Sequence, residues 1–523
     1  MTEAISPPDI SEIVPEAAPV ADTLYRWRHL MDRPLSIPVA RMRLLGDDHQ
    51  GALVEGAGTL EFPDHETISY RLDGSIYQIG PALSRATRCR DNPYDPRLAF
   101  RLEGEFADGS TFSSSWTCPG MSMAADEHLI CSGEIDGGIW IQDRQVAREP
   151  GTTEIAVHVP RGDDFDYTLH HQVGGGRVVV VLGEEIRLQY DRDAQMLTAS
   201  VTASPRFRFP FAENWLVEPF RIMFAQLIFP RITARNHPDG RAAISVRPTR
   251  NFVRTGGWVR LWSSEVRYAD HEGFWNLYAS ILAYIVRAHE AATLEIDASP
   301  ITELYEEVVH ATRGSRWVWA MVIASSVESL LQKLIPSNGL NPAVNAAAVE
   351  ALSQHVRAWQ GDGNLRGALL GTLERRRRLS PRNVLSALRR AGRVTAAEFN
   401  AWDGMRNASM HGNPVSRYAS ASADDEMRNL AALLHKVTLA VIEDLDLDFT
   451  SEAFANTARD RIEELAASSG VRLSQDVAGP DAVPMDAVEE LLMALARAGV
   501  VNAVDAVRLH ADYVAQRYRS AAP

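Results

Sequence analysis

The sequence predicts an α+β multidomain protein: a β-rich antiparallel N-terminal domain, then an all-α helical bundle and a short helical C-terminal tail. Three observations support this fold class. A chain of 523 residues is too long for one core and suggests two to four domains at about 150 residues each. Short β-branched and aromatic runs recur between turn signals as far as Tyr268, which is typical of antiparallel strands. Beyond Tyr268, apolar residues recur at three- and four-residue steps, as in amphipathic helices.

Changes in composition set the expected domain boundaries. Residues 1–35 are expected to be a disordered lead-in, because they are acidic and proline-rich and lack the basic start and apolar core of a signal peptide. The β-rich domain is expected over 36–268, a helical connector over 269–310 and the bundle over 311–447. Residues 448–523 are expected to form a helical C-terminal extension. No run reaches the ~18 apolar residues of a membrane helix, so the expected location is the cytoplasm.

The β-rich half suggests a β-sandwich or a related antiparallel sheet. Its predicted strands include GTLEF, TISYRL, GGIWIQ, TEIAVHV, DYTLHH, RVVVVLG, EIRLQY and AISVRP. One helical insert is predicted at Phe211–Phe229. A strand over DYTLHH would point His170 and His171 to opposite faces, so these two rings are not expected to share a metal.

Two glycine- and aspartate-rich segments of this half are assigned structural roles. The run Gly174–Gly176 precedes RVVVV and is predicted to be a hairpin turn rather than a phosphate cradle. Asp163, Asp164 and Asp166 are predicted to lie in a solvated turn.

The three cysteines, Cys89, Cys118 and Cys131, are predicted to be reduced thiols. An odd number without a C-x-x-C pair fits neither a disulfide framework nor a standard zinc site. Cys118 and Cys131 flank His128, but a fourth ligand is missing. No metal and no cofactor are therefore expected.

The helical half is predicted to hold at least five helices over about Pro300 to Leu447, with two more in the tail. The predicted helical runs include FWNLYASILAYIVRAH, ITELYEEVVHAT, SRWVWAMVIASSVESLLQKL, NLRGALLGTLERRRR, PRNVLSALRRAG, TAAEFNAWDGMRNASMH, DEMRNLAALLHKVTLAVIEDL and MDAVEELLMALARAG. Ser380 and Pro381 suit the N-cap and first turn of one helix, and Gly392 suits its stop.

The basic residues limit the chemistry that is open to the chain. Lys333 and Lys436 are the only lysines, so the remaining 51 basic residues are arginines. The sequence therefore lacks the G-K-[ST] of a phosphate-binding P-loop. It also lacks a lysine beside paired carboxylates, which a metal-dependent nuclease of the D…E-x-K type requires.

Charge is unevenly distributed within a chain whose net charge is −15. Between His355 and Arg417 there are twelve arginines and four acids, a local charge of +8. Between Ala423 and Glu464 there are eleven acids and four bases, a local charge of −7. The basic segment has two open interpretations: a polyanion-binding surface, or a helix surface that pairs with the acidic segment. The first interpretation assigns RNA binding to Arg375, Arg376, Arg377, Arg378 and Arg382.

The stretch GMRNASMHGNPV places a cation, an amide and an imidazole at a predicted helix end. Thr395 and Glu398 form a T-x-x-E capping box that starts this helix. Gly412 suits the position after its end, and Pro414 prevents continuation. His411 is therefore expected in the last turn, where unpaired carbonyls and the helix dipole favour imidazolium.

Spacing within this motif assigns the partners. Asn407 and His411 are four residues apart, on one helix face, where the amide can orient the ring. Arg406 is offset from His411 by about 140°, but its long side chain can reach the same cleft and bind a phosphate through two hydrogen bonds. A proton-transfer histidine and a phosphate-binding arginine suit metal-independent RNA cleavage, in which the 2′-hydroxyl attacks phosphorus. Each chain offers one such motif, so a symmetric dimer is expected to bring two together.

The pattern R-N-x-x-x-H-G on a late helix resembles the motif of HEPN domains, and the match is nearest to the Apea-like branch. The run IASSVESLLQKL is similar to the first core helix of that domain, and its Glu328 occupies a position where a polar residue often faces the motif. ENWLVEPFRIMFAQLIFPRITAR resembles the helical part of the ApeA-like N-terminal domain. The resemblance covers about Ala311 to Leu445, is looser over the first 290 residues, and is absent beyond about Thr450.

The resemblance implies a metal-independent endoribonuclease or a non-catalytic RNA-binding relative, acting in anti-phage defence or toxin-like growth arrest. By motif position His411 is the acid/base, Arg406 the phosphate ligand and Asn407 the orienting residue, with Glu328 in support. A homodimer through the bundle is expected, and a phage-derived or cellular trigger at the β-rich domain. Two other interpretations stay open: a module that binds RNA or protein without cutting, and a helix that only dimerises.

Overall fold

The computed structural model confirms an α+β protein with antiparallel strands in its N-terminal half and helices in its C-terminal half. The residues it describes are 22–46, 51–76, 79–123, 128–162, 164–249, 270–291, 299–342, 344–410, 421–449, 462, 465–466, 469–471, 487–502, 505–507, 509–510 and 513. The chain divides into two compact units: Met1–Ser326 with Gly404–Glu443, and Val327–Asp403 with Asp444–Pro523.

One antiparallel sheet contains every strand of the described N-terminal half. The strands are β1 (Leu35–Gly46), β2 (Ala52–Phe62), β3 (Ser69–Ile76), β4 (Phe100–Glu105), β5 (Thr111–Thr117), β6 (Gly120–Met123), β7 (His128–Glu134), β8 (Ile139–Asp143), β9 (Thr152–His158), β10 (Arg177–Val181), β11 (Glu184–Asp191), β12 (Met196–Thr202), β13 (Ile232–Asn236) and β14 (Ala242–Val246). Their order across the sheet is β10-β11-β12-β9-β13-β14-β8-β5-β4-β1-β2-β3-β7-β6. Alternating buried and exposed residues along β5 and β8 put one face of the sheet on a core.

The sheet folds back on itself. His158 at the end of β9 stacks on His65 of the β2–β3 connection, with ring centroids 3.6 Å apart. β9 and β2 are seven positions apart in the sheet order, which would separate them by roughly 34 Å in a flat sheet. The folding encloses a core to which both regions contribute, for example Leu60 and Phe62 of β2 and Ile232 of β13. The predicted β-rich antiparallel N-terminal half is therefore confirmed, as one 14-stranded sheet.

The described helices are α1 (Asp22–Trp27), α2 (Ile79–Asp91), α3 (Asp164–Gln172), α4 (Ala212–Trp215), α5 (Glu218–Phe224), α6 (His271–Ala291), α7 (Pro300–Ala311), α8 (Arg316–Lys333), α9 (Ala346–Ala358), α10 (Gly363–Arg377), α11 (Pro381–Arg390), α12 (Ala396–Met410), α13 (Ala421–Ile442) and α14 (Ala487–Arg497). Two short 3-10 helices cover Arg28–Met31 and Pro96–Leu98. Among the helices described, none is both long and apolar enough to cross a membrane.

The prediction of a strand over DYTLHH is wrong, because this segment forms α3. Asp166 is fully buried, and its carboxylate accepts hydrogen bonds from Gly162 N–H at 3.0 Å, Tyr190 Oη at 2.7 Å and Arg192 Nε at 3.1 Å. Burial opposes ionisation of Asp166, but these hydrogen bonds and the Arg192 charge hold its pKa below the ordinary value. The predicted solvated turn is therefore wrong for Asp166, which fastens α3 to Tyr190 of β11 and to Arg192. Asp163 lies outside the described residues.

Two further predictions are wrong because this segment is a helix and not a strand. His170 and His171 lie in the last turn of a helix, with ring centroids 5.6 Å apart, instead of on opposite faces of a strand. Gly174 has a φ of +56° and follows α3, so the glycine run ends a helix instead of turning a hairpin. A left-handed glycine is the usual residue at that position because it carries no Cβ.

The helical insert predicted over Phe211–Phe229 is shorter than expected and broken in two. α4 and α5 account for eleven of its residues, and Ala225 ends α5 in the left-handed region with a φ of 47°. Every residue of α5 is buried, including Glu218 and Arg221. The apolar composition was therefore a correct sign of burial but not of helix length.

Three predicted signals for the start or end of a helix are confirmed in the C-terminal half. Ser380 and Asn383 form a capping box at the start of α11, with Pro381 in its first turn. Gly392 follows α11 with a φ of +70°. Thr395 N–H donates to Glu398 Oε2 at 2.8 Å, and Glu398 N–H donates to Thr395 Oγ1 at 3.3 Å. This reciprocal pair is the predicted capping box of α12.

Replacement of Gly392 by alanine is expected to lower the free energy of unfolding by about 1–2 kcal/mol, because a Cβ is strained in the left-handed region. The matched control is Gly367→Ala in the same unit. Gly367 lies inside α10 with open space around its Cβ position, so alanine is expected to stabilise by about 1 kcal/mol. Urea-unfolding midpoints measure both changes, and shifts in the same direction would contradict the assigned conformations.

Candidate functional site

Helix α12 begins at the predicted capping box and carries the first residues of the predicted motif near its end. Trp402 and Met405 are buried and fix one face of the helix in the core. Arg406 is the next residue and is half-buried, so its guanidinium belongs to the boundary between core and surface. The helical phase that brings Arg406 to this boundary is set by the buried positions before it.

The remaining motif residues are only partly described. Asn407 lies within α12, but its side chain is outside the described side chains. His411 lies outside the described residues. The relation of the amide to the imidazole therefore stays a prediction from their four-residue spacing.

Glu328, the predicted supporting residue, lies in α8 and is half-buried. It belongs to the unit that starts at Val327, whereas Arg406 belongs to the unit that resumes at Gly404. Its role beside the motif stays a prediction.

The arginine run lies at the end of α10, a helix of 15 residues that has no buried residue. Arg377 Nη1 donates to Glu350 Oε2 of α9 at 3.2 Å, and Arg378 Nε donates to Glu374 Oε1 at 3.1 Å. Arg375 bonds to Thr372 Oγ1, and Arg376 is exposed. Exposed ion pairs of this kind contribute about 0–1 kcal/mol each, so an incoming phosphate can replace the carboxylates at little cost.

Large apolar side chains are also exposed on the α9–α10 pair. Trp359, between α9 and α10, is 40% exposed, and Leu365 and Leu369 of α10 are 52% and 43% exposed. Aromatic and guanidinium surfaces of this type stack on bases of single-stranded nucleic acid. The α9–α10 pair thus combines positive charge with a stacking surface.

Arg382 has a different environment from the other four arginines of the predicted RNA-binding set. Its Nη2 donates to Asp403 Oδ2 at 3.2 Å, and its guanidinium lies 6.0 Å from the Phe399 ring centroid. The Asp403 side chain is largely buried and the Arg382 side chain is about one-third exposed. This contact fastens α11 to α12, directly upstream of the motif.

The cysteines lie in the β-rich half, where Cys89 and Cys131 are buried and Cys118 is exposed. Burial raises the pKa of Cys131 to about 12, and it raises that of Cys89 to about 12 with a further contribution from Cys118. Both thiols are therefore protonated at neutral pH and are poor nucleophiles and metal ligands. The His128 ring contacts Asp73 Oδ1 at 3.3 Å. Over the described part of the chain, no group of three or more His, Cys, Asp or Glu residues is placed to hold a metal.

One cluster of ionisable side chains was not predicted from the sequence. Arg33, His65, His158 and Arg231 meet where the sheet folds back, and each comes from a different segment of the chain. They are separated by 32 to 93 residues along the chain. Residues this far apart form no short sequence motif, so the cluster could not be predicted from residue spacing.

Comparison with known proteins adds no match. No family model matches the chain, and neither a curated protein nor a solved structure matches it. The function must therefore be inferred from the residues themselves.

Proposed function

We propose that this protein is a metal-independent endoribonuclease of HEPN type, which acts in the cytoplasm in bacterial anti-phage defence or toxin-like growth arrest. The observation that carries the proposal is the intact R-N-x-x-x-H motif, which begins on the capped helix α12 at Arg406. In this proposal the helices from α8 to α13 form the HEPN bundle. The β-rich domain is the regulatory module that receives a phage-derived or cellular trigger.

The proposed reaction needs a base, an acid and a phosphate ligand. His411 takes the proton of the RNA 2′-hydroxyl, whose oxygen then forms a bond to the adjacent phosphorus. The bond from phosphorus to the 5′-oxygen breaks, and a second proton-transfer group protonates the departing oxygen. Arg406 binds the phosphate and stabilises the charge that develops on it. Asn407 orients the imidazole.

A second histidine from a partner subunit would supply the acid, which makes a homodimer part of the proposal. Exposed apolar side chains on α8 support it: Val318 is 44% exposed and Met321 is 39% exposed. These two residues are three apart and share one helix face. A symmetric dimer covers such a stripe with its own copy.

RNA binding is proposed for the exposed arginines of α10. Arg375, Arg376 and Arg378 are exposed, and Arg377 forms partly exposed ion pairs with Glu350 and Glu374. These side chains can exchange carboxylates for RNA phosphates. Arg382 is included in the proposed set, although its ion pair with Asp403 must rearrange before it contacts RNA.

The alternative proposal is a non-catalytic HEPN module that binds RNA or protein. The observation that favours it is the exposure of Trp359 and Leu365 on the α9–α10 pair, because a stacking and basic surface binds single strands without any catalytic group. RNA binding without product formation under all conditions would support this alternative.

The test of the main proposal is incubation of the pure protein with single-stranded RNA in the presence of EDTA. Cleavage is expected to persist, and products are expected to end in a 2′,3′-cyclic phosphate because the 2′-oxygen is the nucleophile. A DNA strand of the same sequence is the matched control, and it is expected to remain intact because it lacks the 2′-hydroxyl. Loss of all cleavage in EDTA, or equal cleavage of the DNA, would contradict the mechanism.

A further inference from the structure

Four cationic or imidazole side chains meet in the β-rich half. Arg33 precedes β1, His65 lies in the β2–β3 connection, His158 ends β9 and Arg231 directly precedes β13. The two imidazole rings stack at 3.6 Å, and Arg231 Nη1 donates to the backbone oxygen of His65 at 2.6 Å. The guanidinium carbons of Arg33 and Arg231 lie 5.2 and 6.0 Å from the ring centroid of Phe62. We name this group the Arg–His cluster.

Several buried nitrogen atoms of the Arg–His cluster have no hydrogen-bond partner among the residues that the structure describes. Arg231 is 0% exposed, and its Nε and Nη2 atoms make no hydrogen bond. The same holds for Arg33 Nη2 and for His65 Nδ1. Folded proteins pair nearly all buried donors, and leaving a charged donor unpaired is more costly than leaving a neutral one. An anion that reaches these atoms would supply the missing acceptors.

The electrostatics of the Arg–His cluster also favour an anion. Burial lowers the pKa of Arg231 to about 9 and that of Arg33 to about 10, and repulsion from Arg33 adds to the shift at Arg231. Burial and the neighbouring positive charges lower the pKa of His65 to about 3. Asp32 and Asp64 oppose the shift at Arg33, and Asp64 also opposes the shifts at His65 and Arg231. The pKa values of both arginines stay lowered in spite of these two carboxylates, so burial of the cationic charge is costly here and an anion would offset that cost.

The pKa of the second imidazole, His158, is lowered by the same kinds of neighbour. Burial lowers the pKa of His158, Arg33 and Arg231 lower it further, and a hydrogen bond with Gln195 opposes the shift. Neither ring is therefore charged at neutral pH while the cluster holds no anion. An anion placed between the guanidiniums and the rings would reverse the sign of the local field and raise both imidazole pKa values.

We propose that the Arg–His cluster is a binding site for a phosphate-type oxyanion, either inorganic phosphate or the phosphate group of a nucleotide. The unpaired atoms belong to two guanidiniums and one ring, which come from the residues before β1, the β2–β3 connection and the residue before β13. A tetrahedral oxyanion accepts hydrogen bonds in several directions, whereas a carboxylate accepts in one plane. Arginine forks match phosphate oxygens through paired hydrogen bonds. The proposal does not depend on ribonuclease activity.

The test is isothermal titration calorimetry of the full chain with sulfate, inorganic phosphate, a nucleoside monophosphate and acetate. Saturable binding at one site per chain is expected for sulfate and phosphate, and not for acetate. Tighter binding of the nucleotide than of inorganic phosphate would identify the nucleotide as the source of the group. The reverse order would identify free phosphate. Binding of acetate as tight as that of sulfate would contradict the tetrahedral class.

The pH dependence of sulfate binding provides a second measurement. The expected affinity rises as the pH falls from about 8 to about 6, by at most about tenfold per pH unit for each imidazole that takes up a proton on binding. The direction follows from the sign of the shift: the bound anion raises the imidazole pKa values, so binding takes up protons. An affinity that is independent of pH would show that neither ring faces the anion.

Arg33→Gln is the main variant, and Arg241→Gln is its matched control. Arg241 lies at the opposite end of the β13–β14 hairpin, where its exposed side chain pairs with Asp239. Sulfate binding is expected to weaken about tenfold in Arg33→Gln and to stay unchanged in Arg241→Gln. If Arg33→Gln does not fold, His158→Gln replaces it with the same expectation. Equal binding by all variants would mean an adventitious ion only, and it would overturn the proposal, as would no saturable binding below about 10 mM.

Discussion

Replacement of His411 by alanine is expected to lower the rate of RNA cleavage by about 10²–10⁴-fold, the range for general acid–base catalysis by a positioned side chain. Arg406→Ala is expected to lower the rate by about 10–100-fold, because it removes charge-assisted hydrogen bonds to the phosphate. Single-turnover cleavage of a labelled RNA in EDTA measures these rates. The two variants should differ in a second property: RNA affinity is expected to fall in Arg406→Ala and to persist in His411→Ala.

The matched control for this series is His310→Ala. His310 lies on α7 and is exposed, so its removal is expected to leave both cleavage and binding at the wild-type level. Unfolding midpoints of all three variants separate loss of chemistry from loss of structure. Cleavage by His411→Ala at the wild-type rate would exclude the proposed acid/base. A stability loss equal to the activity loss would instead favour the interpretation that the motif only dimerises.

Mixed dimers test whether two chains share one active centre. A heterodimer of the wild-type chain with His411→Ala contains one His411, whereas the proposed centre uses two, one from each subunit. If the centre forms across the symmetry axis, this heterodimer is expected to be as impaired as the His411→Ala homodimer, so an equal mixture should retain about a quarter of the wild-type activity. An equal mixture that retains about half of the wild-type activity would place the complete centre within one chain.

The features that the sequence predicted correctly are those decided by neighbouring residues. Helix α12 starts where predicted because Thr395 and Glu398 are three residues apart and bond to each other. Gly392 ends α11 because only its own backbone conformation is involved. Capping and stop signals act within about one helical turn, so a single sequence contains all the information they need.

The errors come from interactions between distant residues. The run DYTLHH is compatible with either a strand or a helix, and the choice depends on Asp166, whose partners Tyr190 and Arg192 lie 24 and 26 residues later. Helix α9 was not predicted because only Ser353 and Val356 are buried, which leaves no apolar stripe to recognise. The Arg–His cluster was not predicted because the folding of the sheet, and not spacing, brings its members together.

Replacement of Arg221 by alanine is expected to lower the free energy of unfolding by about 3–5 kcal/mol, because it leaves a buried carboxyl group without its partner charge. Arg221 is buried, donates to Glu306 Oε1 at 2.9 Å and lies 4.1 Å from the Phe229 ring centroid. Glu218, also buried, accepts hydrogen bonds from Ser299 N–H at 3.1 Å and Thr302 Oγ1 at 2.5 Å. These contacts join α5 to α7.

The pH dependence of this variant identifies the cause of the loss. Burial raises the pKa of Glu218, and Arg221 opposes the shift, so the Glu218 pKa in Arg221→Ala should rise further. A carboxyl whose folded-state pKa is raised stabilises the fold below its unfolded-state pKa, and that stabilisation is lost as the pH rises through the folded value. The deficit of Arg221→Ala is therefore expected to shrink as the pH falls from about 7 to about 5.

Two further variants complete the stability test. Glu218→Gln in the Arg221→Ala background removes the buried charge, so it is expected to recover part of the deficit at neutral pH and to abolish its pH dependence. Arg241→Ala, which removes an exposed arginine that pairs with Asp239, is expected to cost less than about 1 kcal/mol. Urea unfolding across the pH range measures all of them. A deficit in Arg221→Ala no larger than that in Arg241→Ala would show that the buried charges do not hold α5 to α7. A deficit that does not change with pH would assign the loss to packing on Phe229 instead of to Glu218.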